Sequence, residues 1–76
     1  MPNLPVVKGR GAVRALDRAG FVLDAVRGSH HVMLHPVSRR RVSVPVHGSH
    51  DLKPGTLRGL IRDAGLTVEE FTRLLD

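Results

Sequence analysis

The chain contains no cysteine, tryptophan or tyrosine, and phenylalanine occurs only twice. The absence of cysteine excludes disulfide bonds, zinc sites with thiolate ligands and cysteine nucleophiles. Proteins that hold single-stranded nucleic acids by stacking need exposed aromatic side chains, and besides histidine this chain has only Phe21 and Phe71. Any contact with RNA is therefore expected to use phosphate groups, the 2'-hydroxyl and the shape of the RNA.

Long apolar runs are also missing from the sequence. No segment approaches the roughly 18 apolar residues of a membrane-spanning helix, and Met1–Pro5 lacks the charged start and apolar core of a signal peptide. We therefore expect a soluble, cytoplasmic protein without a membrane partner. Residues 1–76 should form a single domain with a thin core, because a chain of this size buries only about 60% of its unfolded surface.

Acidic side chains are outnumbered by basic ones. Twelve Lys and Arg against seven Asp and Glu give a formal net charge of +5. A positive field of this kind attracts polyanions and makes their binding depend on salt. The expected partner is therefore either nucleic acid or an acidic protein.

The first half of the chain reads as a helix followed by three strands. Apolar residues recur at helical spacing over Ala12–Ala19, and strand patterns follow over Phe21–Arg27, His30–His35 and Arg41–Val44. Pro45 limits the third strand, which is expected to be short or to lie at a sheet edge. Short turns between the strands predict an antiparallel sheet.

The second half predicts the main packing helix and a last short one. Pro54 suits a first helical turn, and the apolar stripe within Leu57–Ala64 follows helical spacing. Thr67 and Glu70 have the spacing of a capping box before the final helix. The expected fold class is α+β, in the order α-β-β-β-α, with a three-stranded antiparallel sheet packed on helices.

Two adjacent histidines follow a predicted hairpin turn, in the run Gly28-Ser29-His30-His31. Imidazole can act as an acid or a base near neutral pH. Gly28 would let the backbone approach a phosphate, and the neighbouring N–H groups can bind an anion. In so basic a chain, this combination favours phosphodiester chemistry, with His30 as the candidate proton-transfer group.

The five histidines have different expected positions. His30 either performs proton transfer or simply begins a strand with its ring on a backbone carbonyl. His31 should face the other side of the sheet, because side chains alternate along a strand, and it is an auxiliary candidate or a partner contact. His47 is a second auxiliary candidate that could lie beside His30, or it makes only a structural hydrogen bond. We expect His35 to end a strand and His50 to be exposed.

Further candidates for contact with RNA phosphate are glycine, serine or cationic residues near turns and near the start of the main helix. The arginine run Arg39–Arg41 is alternatively a solvated turn or a contact for an acidic protein. We expect no metal site, because the histidine spacing offers no pair four residues apart on a predicted helix. The phosphate-binding candidates are Gly28, Ser29, Arg39, Arg40, Arg41, Lys53 and Arg58.

Several motifs in fixed order resemble the HicA family, also called YcfA-like proteins. The G-S-H motif is weak alone, but with P-V-H-G and L-K-P-G-T-L it is specific. The resemblance covers about Val7 to Leu75. The residues that carry it are Leu16, Ala19-Gly20-Phe21, Gly28-Ser29-His30-His31, His35-Pro36, Val44-Pro45-Val46-His47-Gly48, Leu52-Lys53-Pro54-Gly55-Thr56-Leu57 and Ala64-Gly65-Leu66.

The resemblance implies a toxin of a HicA/HicB type II toxin-antitoxin system. Such a protein has a double-stranded-RNA-binding-like fold and acts as an mRNA interferase, an endoribonuclease that cleaves mRNA without the ribosome. The family's catalytic histidine is that of G-S-H, which corresponds to His30. A HicB antitoxin covers this site, no cofactor is needed, and no direct DNA binding is expected without the antitoxin.

Three other functions are open at this point. A non-catalytic double-stranded-RNA-binding module would share the fold and charge, but it would tolerate loss of His30 and release no fragments. A small DNA-binding subunit fits less well, because the predicted helices lack the coupled pair of a helix-turn-helix. A degenerate toxin that only binds antitoxin is disfavoured by the intact Gly28, His30 and His47.

Overall fold

A computed structural model describes residues 3–75. It has the predicted element order and confirms the α+β class, with a short third helix at the end of the described chain. The elements are α1 (Gly9–Arg18), β1 (Val22–Arg27), β2 (His30–Leu34), β3 (Arg41–Pro45), α2 (Pro54–Asp63) and α3 (Val68–Arg73).

The three strands form one antiparallel sheet in the order β1-β2-β3. Arg27 pairs with His30 across the β1–β2 turn, and His30 in turn pairs with Pro45 at the end of β3. The third strand lies at an edge, as Pro45 predicted, because proline cannot donate a hydrogen bond to a further strand. The register therefore places His30 beside the end of β3.

The helices cover one face of the sheet. Alternation along the strands turns Met33, Val42 and Val44 towards the helices, where all three are buried. They pack in the same core as Leu16 of α1 and Phe71 of α3, both fully buried. Burying an apolar side chain of this size contributes about 1.5–3 kcal/mol, so this layer is the main source of stability.

The observed bounds differ slightly from the expected ones. Helix α1 starts at Gly9, earlier than its apolar spacing indicated. Strand β2 stops at Leu34 instead of His35, because the His35 ring takes part in the next turn. Its Nδ1 accepts hydrogen bonds of 3.2 Å from the N–H groups of Val37 and Ser38.

The predicted capping box at α3 is present in both directions. The Thr67 side chain accepts a hydrogen bond of 3.0 Å from the Glu70 N–H, and the Thr67 N–H donates one of 2.8 Å to the Glu70 carboxylate. The N–H donation is the larger cause that lowers the pKa of Glu70 below its usual 4.5, followed by the Thr67 side-chain hydrogen bond. The pKa of Glu70 is lower in the folded state than in the unfolded state. The stabilisation is therefore fully present above the unfolded-state pKa and is lost as pH falls through the folded-state pKa.

We therefore expect Glu70→Ala to lower the free energy of unfolding at neutral pH, with a difference from wild type that shrinks below pH 4.5. Urea denaturation at a series of pH values measures this difference. Glu69→Ala is the matched control, because Glu69 lies in the same first turn without the capping role. A pH-independent loss of stability in Glu70→Ala would contradict the explanation.

Candidate active site

A groove of about 380 Å³ opens where the end of β3, the following loop and the start of α2 meet. It contains three of the five histidines, and a lysine stands on its wall. A larger groove of about 540 Å³ lies around Lys8 and Arg14 but holds no histidine, so the smaller one is the candidate for proton transfer. Its lining residues are His30, Pro45, His47, His50, Asp51, Leu52, Lys53 and Thr56.

The β1–β2 turn delivers His30 to this groove. Gly28 has φ of 59°, in the left-handed region that glycine tolerates best. A Cβ at this position would meet no atom within 4 Å, so the backbone conformation, and not crowding, favours glycine here. The tight turn brings His30 to the first position of β2, where its side chain is exposed.

His47 lies beside His30, although 17 positions separate them in the sequence. The two ring centroids are 6.4 Å apart, and the ring planes are inclined by 75°. The Val46 N–H donates a hydrogen bond of 2.7 Å to the Ser29 carbonyl, which ties the two segments together. His47 Nε2 also lies 3.5 Å from Ser29 Oγ.

The loop that carries His47 and His50 is attached to the rest of the fold at several points. The His50 N–H donates to the His47 carbonyl at 3.0 Å, and the Leu52 N–H donates to the Val7 carbonyl at 2.9 Å. Lys8 Nζ lies 3.2 Å from Asp51 Oδ1 in an exposed ion pair. These contacts hold the histidine-bearing loop next to the end of β3.

The start of α2 supplies positive potential to the same groove. Lys53 is the N-cap residue and Pro54 follows in the first turn, as predicted. The first N–H groups of a helix have no partner within the helix, and together with the helix dipole they attract anions. Lys53 and Thr56 line the groove, so a phosphate held there would meet both the lysine and the helix N-terminus.

His31 lies on the other face of the sheet, as the strand alternation predicted. It is half-buried and lines a second groove with Arg10, Val13, Arg14 and Val46. Its Nδ1 is buried without a hydrogen-bond partner among the described residues. The structure therefore separates His31 from the groove that contains His30.

The remaining histidines have unequal surroundings. The ring of His35 packs edge-on against Phe21, with centroids 5.1 Å apart, and stands near Gly20. It therefore serves the turn and the packing, as expected for a strand-end residue. His50 is exposed as predicted, but it also lines the groove with His30 and His47, which sequence analysis did not foresee.

The arginine run lies away from this groove. Arg41 pairs with Leu34 at the far end of β2, about 13 Å along the strand from His30 at a rise of about 3.3 Å per residue, and Arg39 and Arg40 precede it in the turn. Arg40 donates a hydrogen bond of 3.3 Å to the Asp63 carbonyl, and Arg41 lies 2.6 Å from the Asp24 carboxylate. The run can contact only a more distant part of an RNA, and its role in phosphate binding stays a prediction.

Arg58 is exposed on α2 but is not part of the groove wall. Gly28 and Ser29 belong to the β1–β2 turn, which lies next to the groove. Among the predicted phosphate contacts, only Lys53 lines the groove itself. Sequence analysis missed Asp51 and Thr56, whose position depends on how the loop folds back against the N-terminal segment.

Replacing Lys53 by alanine is expected to weaken RNA binding and to reduce its salt dependence. Loss of one phosphate contact reduces the magnitude of the negative slope of log K against log salt by about 0.7 for a single strand. Fluorescence anisotropy with a labelled RNA over a salt series measures both quantities. Arg62→Ala removes the same charge from an 80% exposed side chain, and an equal effect of both variants would contradict a specific contact.

Within residues 3–75, no three His, Asp or Glu side chains are grouped so that they could hold a metal ion. The side chains that line the groove supply three imidazoles, the Lys53 ammonium, the Asp51 carboxylate and the Thr56 hydroxyl. In the same described range, no helix is long and apolar enough to cross a lipid bilayer.

Comparison with known proteins identifies the family. The sequence profile described as "HicA toxin of bacterial toxin-antitoxin" matches residues 9–66, from the start of α1 to just beyond α2. No curated protein matches the chain. The matched segment contains His30, His47 and Lys53, and it covers well over half of the 76 residues. The chain belongs to the HicA family, the toxins of bacterial toxin-antitoxin systems.

Proposed function

We propose that this toxin is a ribosome-independent endoribonuclease that cleaves mRNA, with His30 as a proton-transfer group. The observation that carries the proposal is the exposed His30 imidazole in a groove shared with His47 and Lys53. Cleavage of a phosphodiester requires a base for the attacking hydroxyl and an acid for the leaving oxygen. Imidazole can supply either role near neutral pH.

The charge distribution supports an RNA substrate. The net charge of +5 attracts a polyanion, and Lys53 with the α2 N-terminus can stabilise the charge that develops on phosphate during the reaction. Both phenylalanines, Phe21 and Phe71, are buried, so neither can stack on a base. Recognition through phosphate and the 2'-hydroxyl fits this surface better than recognition through stacked bases.

The family implies a cognate antitoxin, and we propose that it is of the HicB type. A protein that neutralises this enzyme needs to exclude RNA from the groove around His30. The groove is lined by Lys53 and three imidazoles, and its Asp51 carboxylate is paired with Lys8, so acidic side chains on the antitoxin would complement it. Such an interface would compete directly with RNA phosphate.

Induced expression of the protein in a bacterial host tests the proposed function. We expect growth to stop and full-length mRNA to be cut, including a transcript without a ribosome-binding site. Co-production of the cognate antitoxin is expected to restore both growth and intact mRNA. Growth arrest with intact mRNA would contradict a ribonuclease, and cutting confined to translated transcripts would contradict independence from the ribosome.

A further inference from the structure

We propose that His30 and His47 form an acid-base pair that drives attack by the RNA's own 2'-hydroxyl on the adjacent phosphorus. Ser29 then lies beside His47 without being the nucleophile. This inference rests on the proposed ribonuclease function and deepens it. It specifies the substrate as a linkage preceded by a ribonucleotide, and the product as a 2',3'-cyclic phosphate.

The distance between the two rings fits one phosphodiester group. Their centroids are 6.4 Å apart and the planes are steeply inclined, so the rings are not stacked on each other. A charge-assisted N–H···O contact spans about 2.7–2.9 Å. Two such contacts laid end to end with an O–P–O unit would exceed 6.4 Å, so both rings can reach one phosphodiester only at an angle from the groove that they both line.

Backbone contacts keep the pair together from two separate segments. His30 is held by its register opposite Pro45. His47 follows Val46, whose N–H is bonded to the Ser29 carbonyl at 2.7 Å. The sheet and its turn therefore set the backbone positions of both histidines, which favours a preorganised pair.

The proposed step transfers one proton at each end of the reacting group. A neutral imidazole takes the proton of the 2'-hydroxyl as O2' forms a bond to phosphorus. The imidazolium of the other histidine gives its proton to O5' as the P–O5' bond breaks. The products are a 2',3'-cyclic phosphate and a 5'-hydroxyl, and no water, metal or oxidant is consumed.

Ser29 offers the competing mechanism, because its Oγ lies 3.5 Å from His47 Nε2. A serine nucleophile needs a well-placed base that a further group orients, and 3.5 Å is long for such a hydrogen bond. Within residues 3–75, no carboxylate forms a hydrogen bond with His47. Serine attack would also cut DNA and RNA alike, since it does not use the 2'-hydroxyl. The contact therefore gives no support for Ser29 as the nucleophile.

The decisive substrate is a short RNA that spans one mapped cleavage site. A single 2'-deoxy or 2'-O-methyl nucleotide on the 5' side of the scissile bond is expected to abolish cleavage there. The unmodified RNA should yield a 2',3'-cyclic phosphate, detected by mass spectrometry. Cleavage that persists in the 2'-deoxy substrate would overturn the proposal. If that cleavage persists with the wild-type protein and Ser29→Ala loses all cleavage, the results would point to serine attack.

The second arm tests the two histidines. We expect His47→Ala and His47→Gln to lower the cleavage rate by about 10²–10⁴-fold and to remove one limb of a bell-shaped pH-rate profile. Ser29→Ala should cost about tenfold or less while both limbs remain. Val37→Ala, at an 84% exposed turn residue, is the control for handling and folding.

A substrate with sulfur in place of the 5'-oxygen assigns the acid, because a thiolate leaves without protonation. This substrate is expected to restore the cleavage rate of one variant, either His30→Ala or His47→Ala, but not of both. Rescue of both or of neither would overturn the pair. If the wild-type protein cleaves RNA and His47→Ala keeps its rate, only this inference fails. If the folded wild-type protein does not cleave at all, the proposed function fails with it.

Discussion

Replacing His30 by alanine is expected to reduce the rate of RNA cleavage by about 10²–10⁴-fold, the usual contribution of general acid-base catalysis. The side chain is exposed at the first position of β2, so its removal leaves no cavity in the core. The loss should therefore appear in the chemical step. Single-turnover cleavage with protein in excess over a labelled RNA measures that step.

The same variant is expected to keep its affinity for RNA. Lys53 and the α2 N-terminus remain in place when His30 is removed, and phosphate contacts dominate binding of this kind. Circular dichroism and RNA affinity should match those of Val37→Ala, which is substituted away from the groove. A His30→Ala protein that folds normally and cleaves at the wild-type rate would contradict the role given to this histidine.

Replacing Gly9 by alanine is expected to lower the free energy of unfolding more than any other substitution proposed for this protein. A Cβ at this position would lie 2.3 Å from the Pro45 carbonyl oxygen and 2.9 Å from the Val46 Cα. Both are backbone atoms, so no side-chain rotation relieves the clash, and α1 or the end of β3 has to move. Overpacking costs about 1–3 kcal/mol and occasionally more, and we expect the upper end of this range or beyond.

Gly59→Ala is the matched control for this experiment. Gly59 lies within α2, and an added Cβ would meet only the Arg62 guanidinium at an ordinary 3.8 Å. Alanine is favoured over glycine inside a helix by up to about 1 kcal/mol, so Gly59→Ala should stabilise the protein. Thermal unfolding separates the two, since about 1 kcal/mol shifts Tm by about 4–8 °C in a domain of this size. A Gly9→Ala protein with the wild-type Tm would contradict the close approach.

The fold was largely predictable because its signals are local. The Thr67 and Glu70 capping box and the Pro54 helix start depend on residues within one turn of each other. The strand limits set by the Gly28 turn and by Pro45 are equally local. Each of these features lies in a short window of sequence, and each has a physical mechanism that acts within that window.

The features that were missed depend on contacts between distant segments. The need for glycine at position 9 comes from the backbone near Pro45, which no local pattern reveals. Arg40 reaches the Asp63 carbonyl at the end of α2, although it reads as part of a solvated basic turn. Arg39 adopts φ of 65°, a conformation for which its residue type gives no signal.

The candidate site shows the same division. Gly28, Ser29 and His30 were identified from one short motif, and their common turn is local. The approach of His47 to His30 depends on the sheet register and on the hydrogen bond between Val46 and Ser29. Only the folded structure shows that His50 and Thr56 share the groove with this pair.

The most direct test of the central claim is incubation of the purified wild-type protein with a purified mRNA transcript in EDTA, without ribosomes. Denaturing gel electrophoresis follows the transcript, and filter binding measures complex formation in the same samples. The proposed enzyme is expected to cut the transcript at discrete sites under these conditions. A correctly folded protein that binds the transcript and leaves it intact would contradict the account and identify an RNA-binding module instead.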